Sequence, residues 1–172
     1  ERLQLAAIEN IATFLPTAVA DGSNLEARTH LAFANTMSGY SMDFAGCISE
    51  HSIEHSLSAF NPKLPHGAGL IMISLAFFDF YAGTHAVDDR LVTMARALGM
   101  ADAAESEDIH EALRRLQAAC GVDGLCLSDY GFSREDMPKV ARNVMATDGV
   151  FHFDPIRIGY DDVFGILERS YR

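Results

Sequence analysis

Residues 67–82 read GAGLIMISLAFFDFYA, a run in which apolar side chains occupy nearly every helical face and Asp79 is the only charge. A helix that is apolar all round is stable in water only when other elements surround it. The segment therefore predicts a central helix starting near Pro65-His66, with the rest of the chain packed about it. The run stops short of the roughly 20 residues that a bilayer span requires. No transmembrane segment or signal peptide is expected.

The flanking sequence is patterned for helices. Leu3, Leu5, Ile8, Ile11, Ala12 and Leu15 recur at helical spacing, predicting a first helix over about Arg2 to Val19 that frays at Pro16. Asn24 is a good cap for a second helix reaching about Met37, where Ser38-Gly39-Tyr40 loosens the pattern. A third helix is expected from about Ser41 to Phe60, ended by Asn61-Pro62 and Pro65. Three more fall at about Val87–Leu98, Ser106–Ala119 and Ser133–Ala146, each with an acidic first turn that suits the helix dipole, and Ser133 caps the last of them. Tyr160 to Tyr171 closes the chain with Val163, Phe164, Ile166 and Leu167 on one side. Segments 121–132 and 148–159 are Gly- and Asp-rich connections, and no useful run alternates with period two. The expectation is all-α, a single helical domain of about eight helices spanning residues 1–172. The composition agrees, with 49% apolar residues, no Trp and few β-branched runs. The first residue, Glu1, already lies inside an amphipathic pattern, so a piece of a longer chain is expected.

Charge narrows the partners. Thirteen Lys and Arg against twenty-four Asp and Glu leave a net charge of −11, which argues against nucleic acid and anionic membrane surfaces. Cys47, Cys120 and Cys126 are odd in number and lack CxxC spacing. They predict buried thiols in a reducing, cytoplasmic setting.

The chemistry concentrates in residues 51–67, HSIEHSLSAFNPKLPHG, which hold three of the seven histidines. His51 and His55 are four apart on one helix, so their Cβ atoms lie about 5–6 Å apart on one face. A chain that turns back at Asn61-Pro62 and Pro65-His66-Gly67 brings His66 toward the end of that helix. Spacing alone leaves three readings open. The histidines are metal or proton-transfer groups, or they are polar residues of a non-catalytic all-helical scaffold or interaction domain. The third reading is a zinc protease, because His51-Ser-Ile-Glu54-His55 fits H-x-x-E-H, in which the Glu activates water. That reading needs a further ligand and a larger substrate-enclosing body.

His51-x-x-x-His55-x-Leu-x-Ala-Phe followed by Pro65-His66-Gly67-x-Gly69 closely resembles the iron-containing (group III) alcohol dehydrogenases of the dehydroquinate synthase-like superfamily. LQLAAIENIATFLPTAVADGSNLEARTHLAFANTMSG resembles the stretch leading to that family's site, PHGAGLIMISLAFFDF the segment after it, and YDDVFGILERSY its terminal helix. The resemblance thus covers essentially the whole chain. It implies the all-helical C-terminal domain of an enzyme whose N-terminal half is a dinucleotide-binding α/β domain. These 172 residues are expected to hold no counterpart of that domain, and no glycine-rich phosphate loop occurs among them.

By the resemblance, His51 and His66 are two of four metal ligands, and His55 is the neighbour of the nicotinamide and substrate that relays the alcohol proton. Met42 and Phe44 fall where the family lines its substrate channel. Glu54 is only a helix-surface acid in this reading. The family's other two ligands form an Asp-x-x-x-His pattern upstream of the stretch matched by Leu3–Leu15. Glu26-Ala-Arg-Thr-His30 imitates that pattern, but is expected to be a surface pair. The implied cofactors are Fe(II) or Zn(II), with NAD or NADP in the complete enzyme. The implied partners are a small alcohol or aldehyde, the N-terminal domain and further copies in a homo-oligomer. An isolated C-terminal domain is expected to bind metal weakly and to lack dehydrogenase turnover.

Overall fold

The structure, a computed structural model, describes residues 1–147 and 151–172. The first three residues of the expected 148–159 connection therefore lie outside the described residues. Eight α-helices follow one another among the described residues, with no strand: α1 (Arg2–Ala20), α2 (Leu25–Ala45), α3 (Ser49–Phe60), α4 (His66–Thr84), α5 (Asp88–Ala97), α6 (Asp108–Ala119), α7 (Met137–Ala146) and α8 (Tyr160–Ser170). The chain divides into two compact units. One comprises Glu1–Gly46 and Val87–Asp123, the other Cys47–Ala86 and Gly124–Arg172.

In the first unit α1 packs on α2, α5 on α6, and α1 touches both α5 and α6. Small buried residues, Ala7 on α1 and Ala27 and Ala34 on α2, mark where these helices are most enclosed. His30 reaches across from α2 to α1, where its Nδ1 lies 2.7 Å from Asn10 Oδ1 and its ring stacks on Phe14 at 3.8 Å between centroids. Asn24 caps α2 as expected, its side chain accepting the Ala27 amide at 3.0 Å.

Two expected helix boundaries are corrected here. Helix α1 does not fray at Pro16 but continues to Ala20, and Ala18 beyond the proline is buried. Tertiary packing thus outweighs the missing backbone donor. Helix α2 runs straight through Ser38-Gly39-Tyr40, because Ser38 and Ser41 turn their hydroxyls onto the carbonyls of Ala34 and Met37, at 3.0 and 2.9 Å. It stops only at Gly46, whose φ of 68° is a conformation open to glycine.

In the second unit α4 packs against α3 and α8, and α7 packs against both as well. Met72, Ile73, Ala76, Phe77 and Tyr81 form the buried face of α4, meeting a core to which Ile53, Leu57, Val144 and Ile166 also belong. Leu70, Ile71 and Leu75 keep partial exposure, so α4 is enclosed on one side rather than all round. Fully grown to 19 residues, both α1 and α4 are long and apolar enough by length and composition to cross a membrane, which the shorter run seen in the sequence was not. For α4, the core face just described packs against α3 and α8.

Asp154 anchors the start of α3. Its carboxylate accepts the Ser49 backbone N–H at 3.1 Å and the Ser49 hydroxyl at 2.8 Å, and the Tyr81 phenol of α4 donates to it as well. Burial, followed by this carboxylate, pushes the Tyr81 hydroxyl well above the ordinary phenol range. Along α3 the buried Ser52 and Ser56 keep the helix slim, and Ser56 donates to Asn143 of α7 at 3.0 Å.

Candidate metal centre

Two consecutive helices place three imidazoles together. His51 and His55 stand one turn apart on α3, and His66 is the first residue of α4. The loop between them is pinned. Asn61 accepts the Lys63 amide on its side chain at 3.0 Å, takes the Leu64 amide on its carbonyl at 2.9 Å and donates its side-chain amide to the Tyr130 carbonyl at 2.7 Å. Leu64 is buried, and Pro65 then sets the start of α4. His66 consequently returns to α3, with its ring centroid 5.2 Å from His51 and 5.3 Å from His55.

One ligand atom from each of the three rings lies within 4.8 Å of the others, close enough to share one cation. His51 is half-buried, whereas His55 and His66 are exposed. Desolvation, and then the neighbouring His66 and His55, hold the His51 pKa below the usual imidazole range, while Glu54 opposes the shift. A depressed pKa keeps the ring neutral, the form in which imidazole binds a metal. Imidazole donors with no thiolate and an acid close behind fit Fe(II) or Zn(II).

That acid is Glu54, and the surface position expected for it is wrong. Its side chain is fully buried. One carboxylate oxygen accepts from the Ser58 hydroxyl and the other meets Nδ1 of His66. The room it occupies exists because residue 69 has no side chain; a Cβ there would stand 2.6 Å from Glu54 Cγ. Held this way, Glu54 is enclosed rather than turned to solvent, which opposes the H-x-x-E-H protease reading in which it activates water. The available signal was its helical place beside Ile53 and Leu57, on the edge of the core face. Glu50, in the first turn of α3, keeps some surface exposed yet is crowded enough for desolvation to push its pKa up to about 8.

The remaining sequence candidates lie on α2 rather than on α3 or α4. Met42 and Phe44 lie on the last turns of α2, in the first unit, with 55% and 83% of their surfaces exposed. They do not share a helix with His51, because the break falls at residues 46–48 rather than at 38–40. His30 of the Glu26/His30 pair is bound to Asn10 and Phe14 and so holds two helices together. The three cysteines are free thiols, half-buried rather than buried.

Comparison with known proteins follows the same line. A family profile described as "Fe-containing alcohol dehydrogenase family, C-terminal" matches residues 1–171. The chain is 31% identical over 169 residues to the long-chain primary alcohol dehydrogenase AdhA of Thermoanaerobacter ethanolicus, a match covering 94% of this chain and 41% of that protein. It is 26% identical to the mitochondrial hydroxyacid-oxoacid transhydrogenase of Homo sapiens, over 96% of this chain and 38% of that protein. Among solved structures, an archaeal halo-thermophilic alcohol dehydrogenase from a Red Sea brine pool, bound to NZQ, superposes with a TM-score of 0.90 at 25% identity, covering 98% of this chain and 44% of that one. The chain thus spans about two-fifths of the length of these relatives.

Proposed function

Because this chain belongs to the Fe-containing alcohol dehydrogenase family, as its C-terminal domain, we propose that it provides the helical, metal-binding half of an NAD(P)-linked alcohol or aldehyde oxidoreductase. The observation that carries this reading is the convergence of His51, His55 and His66 within 4.8 Å.

His51 and His66 are the ligands in this reading, with an Asp and another His supplied from elsewhere in the protein. When bound, Fe(II) or Zn(II) supplies Lewis acidity toward an alcohol or carbonyl oxygen, and NAD or NADP exchanges the hydride. His55 is exposed and one turn from His51, which suits it to pass a proton between the site and solvent. Its flank on the nicotinamide side, and the lining of a substrate channel by Met42 and Phe44, belong to the same reading. Two ligands hold a metal more weakly than four, so the isolated domain is expected to bind metal without turning over alcohol.

Leu25, Tyr40, Met42 and Phe44 expose apolar surface on α2, which supports association with the N-terminal domain and with further copies. The free thiols suit a reducing compartment, and we place the protein in the cytoplasm.

The test is direct. Zn(II) or Fe(II) should raise the melting temperature of the wild-type chain, since a ligand bound only by the folded state stabilises it. The shift should shrink in His51→Ala and His66→Ala. No shift at saturating metal would instead favour the non-catalytic scaffold.

A further inference from the structure

We propose that Glu54 is a positioning residue for the histidine cluster. Its buried carboxylate holds the proton on Nδ1 of His66, fixing the tautomer that leaves Nε2 as the donor nitrogen. The inference rests on the metal reading above for its consequence, though not for its geometry.

Three observations carry it. Glu54 is wholly excluded from solvent, and a buried carboxylate is costly unless its oxygens are occupied. Each oxygen has a separate partner, Ser58 Oγ on one and His66 Nδ1 on the other. The backbone makes room for it, because residue 69, one turn after His66 on α4, is a glycine against which Glu54 Cγ and Oε1 pack. The chain thus encloses the acid on the protein side of His66 and closes the other oxygen with a neutral hydroxyl.

The chemistry follows from the two ring nitrogens. A neutral imidazole carries one N–H and one lone pair, and whichever nitrogen meets a carboxylate keeps the proton. With Nδ1–H directed at Glu54, Nε2 is left with the lone pair, its basicity raised by the negative partner. Ser58 fixes the carboxylate from its other side, so the ring is held in orientation as well as in tautomer. His55, exposed and with no such carboxylate contact among the described residues, is the contrasting ring of the cluster.

The experiment uses the full chain and separates this inference from the metal reading. In metal-free protein at mildly alkaline pH, nitrogen-15 NMR of the histidines should show His66 protonated at Nδ1. A His66 ring carrying its proton on Nε2 alone would overturn the proposal, whatever the metal does. Zn(II) affinity, measured by competition with a chromophoric chelator, should fall about 10–100-fold in Glu54→Gln. Ser58→Ala should show a smaller loss in the same direction. Equal affinity in folded Glu54→Gln and wild type also overturns the proposal while leaving the metal site standing. If the wild type binds no Zn(II), the metal reading fails, and the NMR result alone decides the role of Glu54. Should Glu54→Gln fail to fold, the tautomer of His66 in the wild type still upholds or overturns the proposal.

Discussion

Gly69 and Glu54 are packed so closely that a methyl group on Gly69 would lie 2.6 Å from Glu54 Cγ and 2.7 Å from its Oε1. The buried acid and the missing side chain are two halves of one arrangement, joining α3 to α4 directly behind His66.

Gly69→Ala should therefore destabilise the chain by about 1–3 kcal/mol, the usual cost of overpacking a closed interior. Urea denaturation measures it. In the double variant with Glu54→Ala the cost of the alanine should largely vanish, because the added methyl takes up space that the glutamate leaves. Additive losses in the double variant would show that the two residues are not coupled.

Asp154 gathers the Ser49 amide, the Ser49 hydroxyl and the Tyr81 phenol on one carboxylate. Asp154→Asn should cost about 1–3 kcal/mol, since donors are left facing a weaker acceptor. Tyr81→Phe removes one of the three bonds and should cost less. Chemical denaturation ranks the two, and a larger loss for Tyr81→Phe would contradict the anchoring of α3 by Asp154.

Two histidines that look alike in sequence should behave oppositely. His30 is bound to Asn10 and stacked on Phe14, so His30→Ala should lower stability by about 1–2 kcal/mol while leaving Zn(II) binding intact. His51→Ala should weaken Zn(II) binding with little loss of metal-free stability, because its ring faces the cluster. Isothermal titration together with thermal melts reads both quantities. A loss of metal binding in His30→Ala would undo the distinction.

Asp136 closes a capping box before α7, accepting the Ser133 amide at 2.8 Å and the Ser133 hydroxyl at 2.7 Å. These bonds, the backbone one first, hold its pKa below the ordinary 3.8. A depressed carboxylate contributes stability above its unfolded pKa and loses it as the pH falls through the folded value. The contribution should accordingly be complete at neutral pH and disappear in acid below the usual carboxylate range. NMR titration should give an Asp136 midpoint below 3.8, and Asp136→Asn should be more destabilising at neutral pH than in strong acid.

Helical periodicity and its stops located eight helices, with the break between α2 and α3 misplaced, because repeating apolar faces and proline or glycine stops are written in local sequence. His51, His55 and His66 were legible for the same reason: one helical turn, then a proline-bounded return. Other features were decided only by the folded chain. Ser38-Gly39-Tyr40 reads as a break, yet Ser38 and Ser41 find carbonyls within α2, and the real stop at Gly46 separates Met42 and Phe44 from the histidine helix. Glu54 reads as a surface acid because carboxylates usually remain in water. Its burial depends on Ser58, His66 and Gly69 arriving around it, and two of these belong to the next helix. Local sequence determines which residues form a helix and which face is apolar. Whether a charged group on the edge of that face is enclosed depends on partners brought from another helix, and only the tertiary structure supplies them.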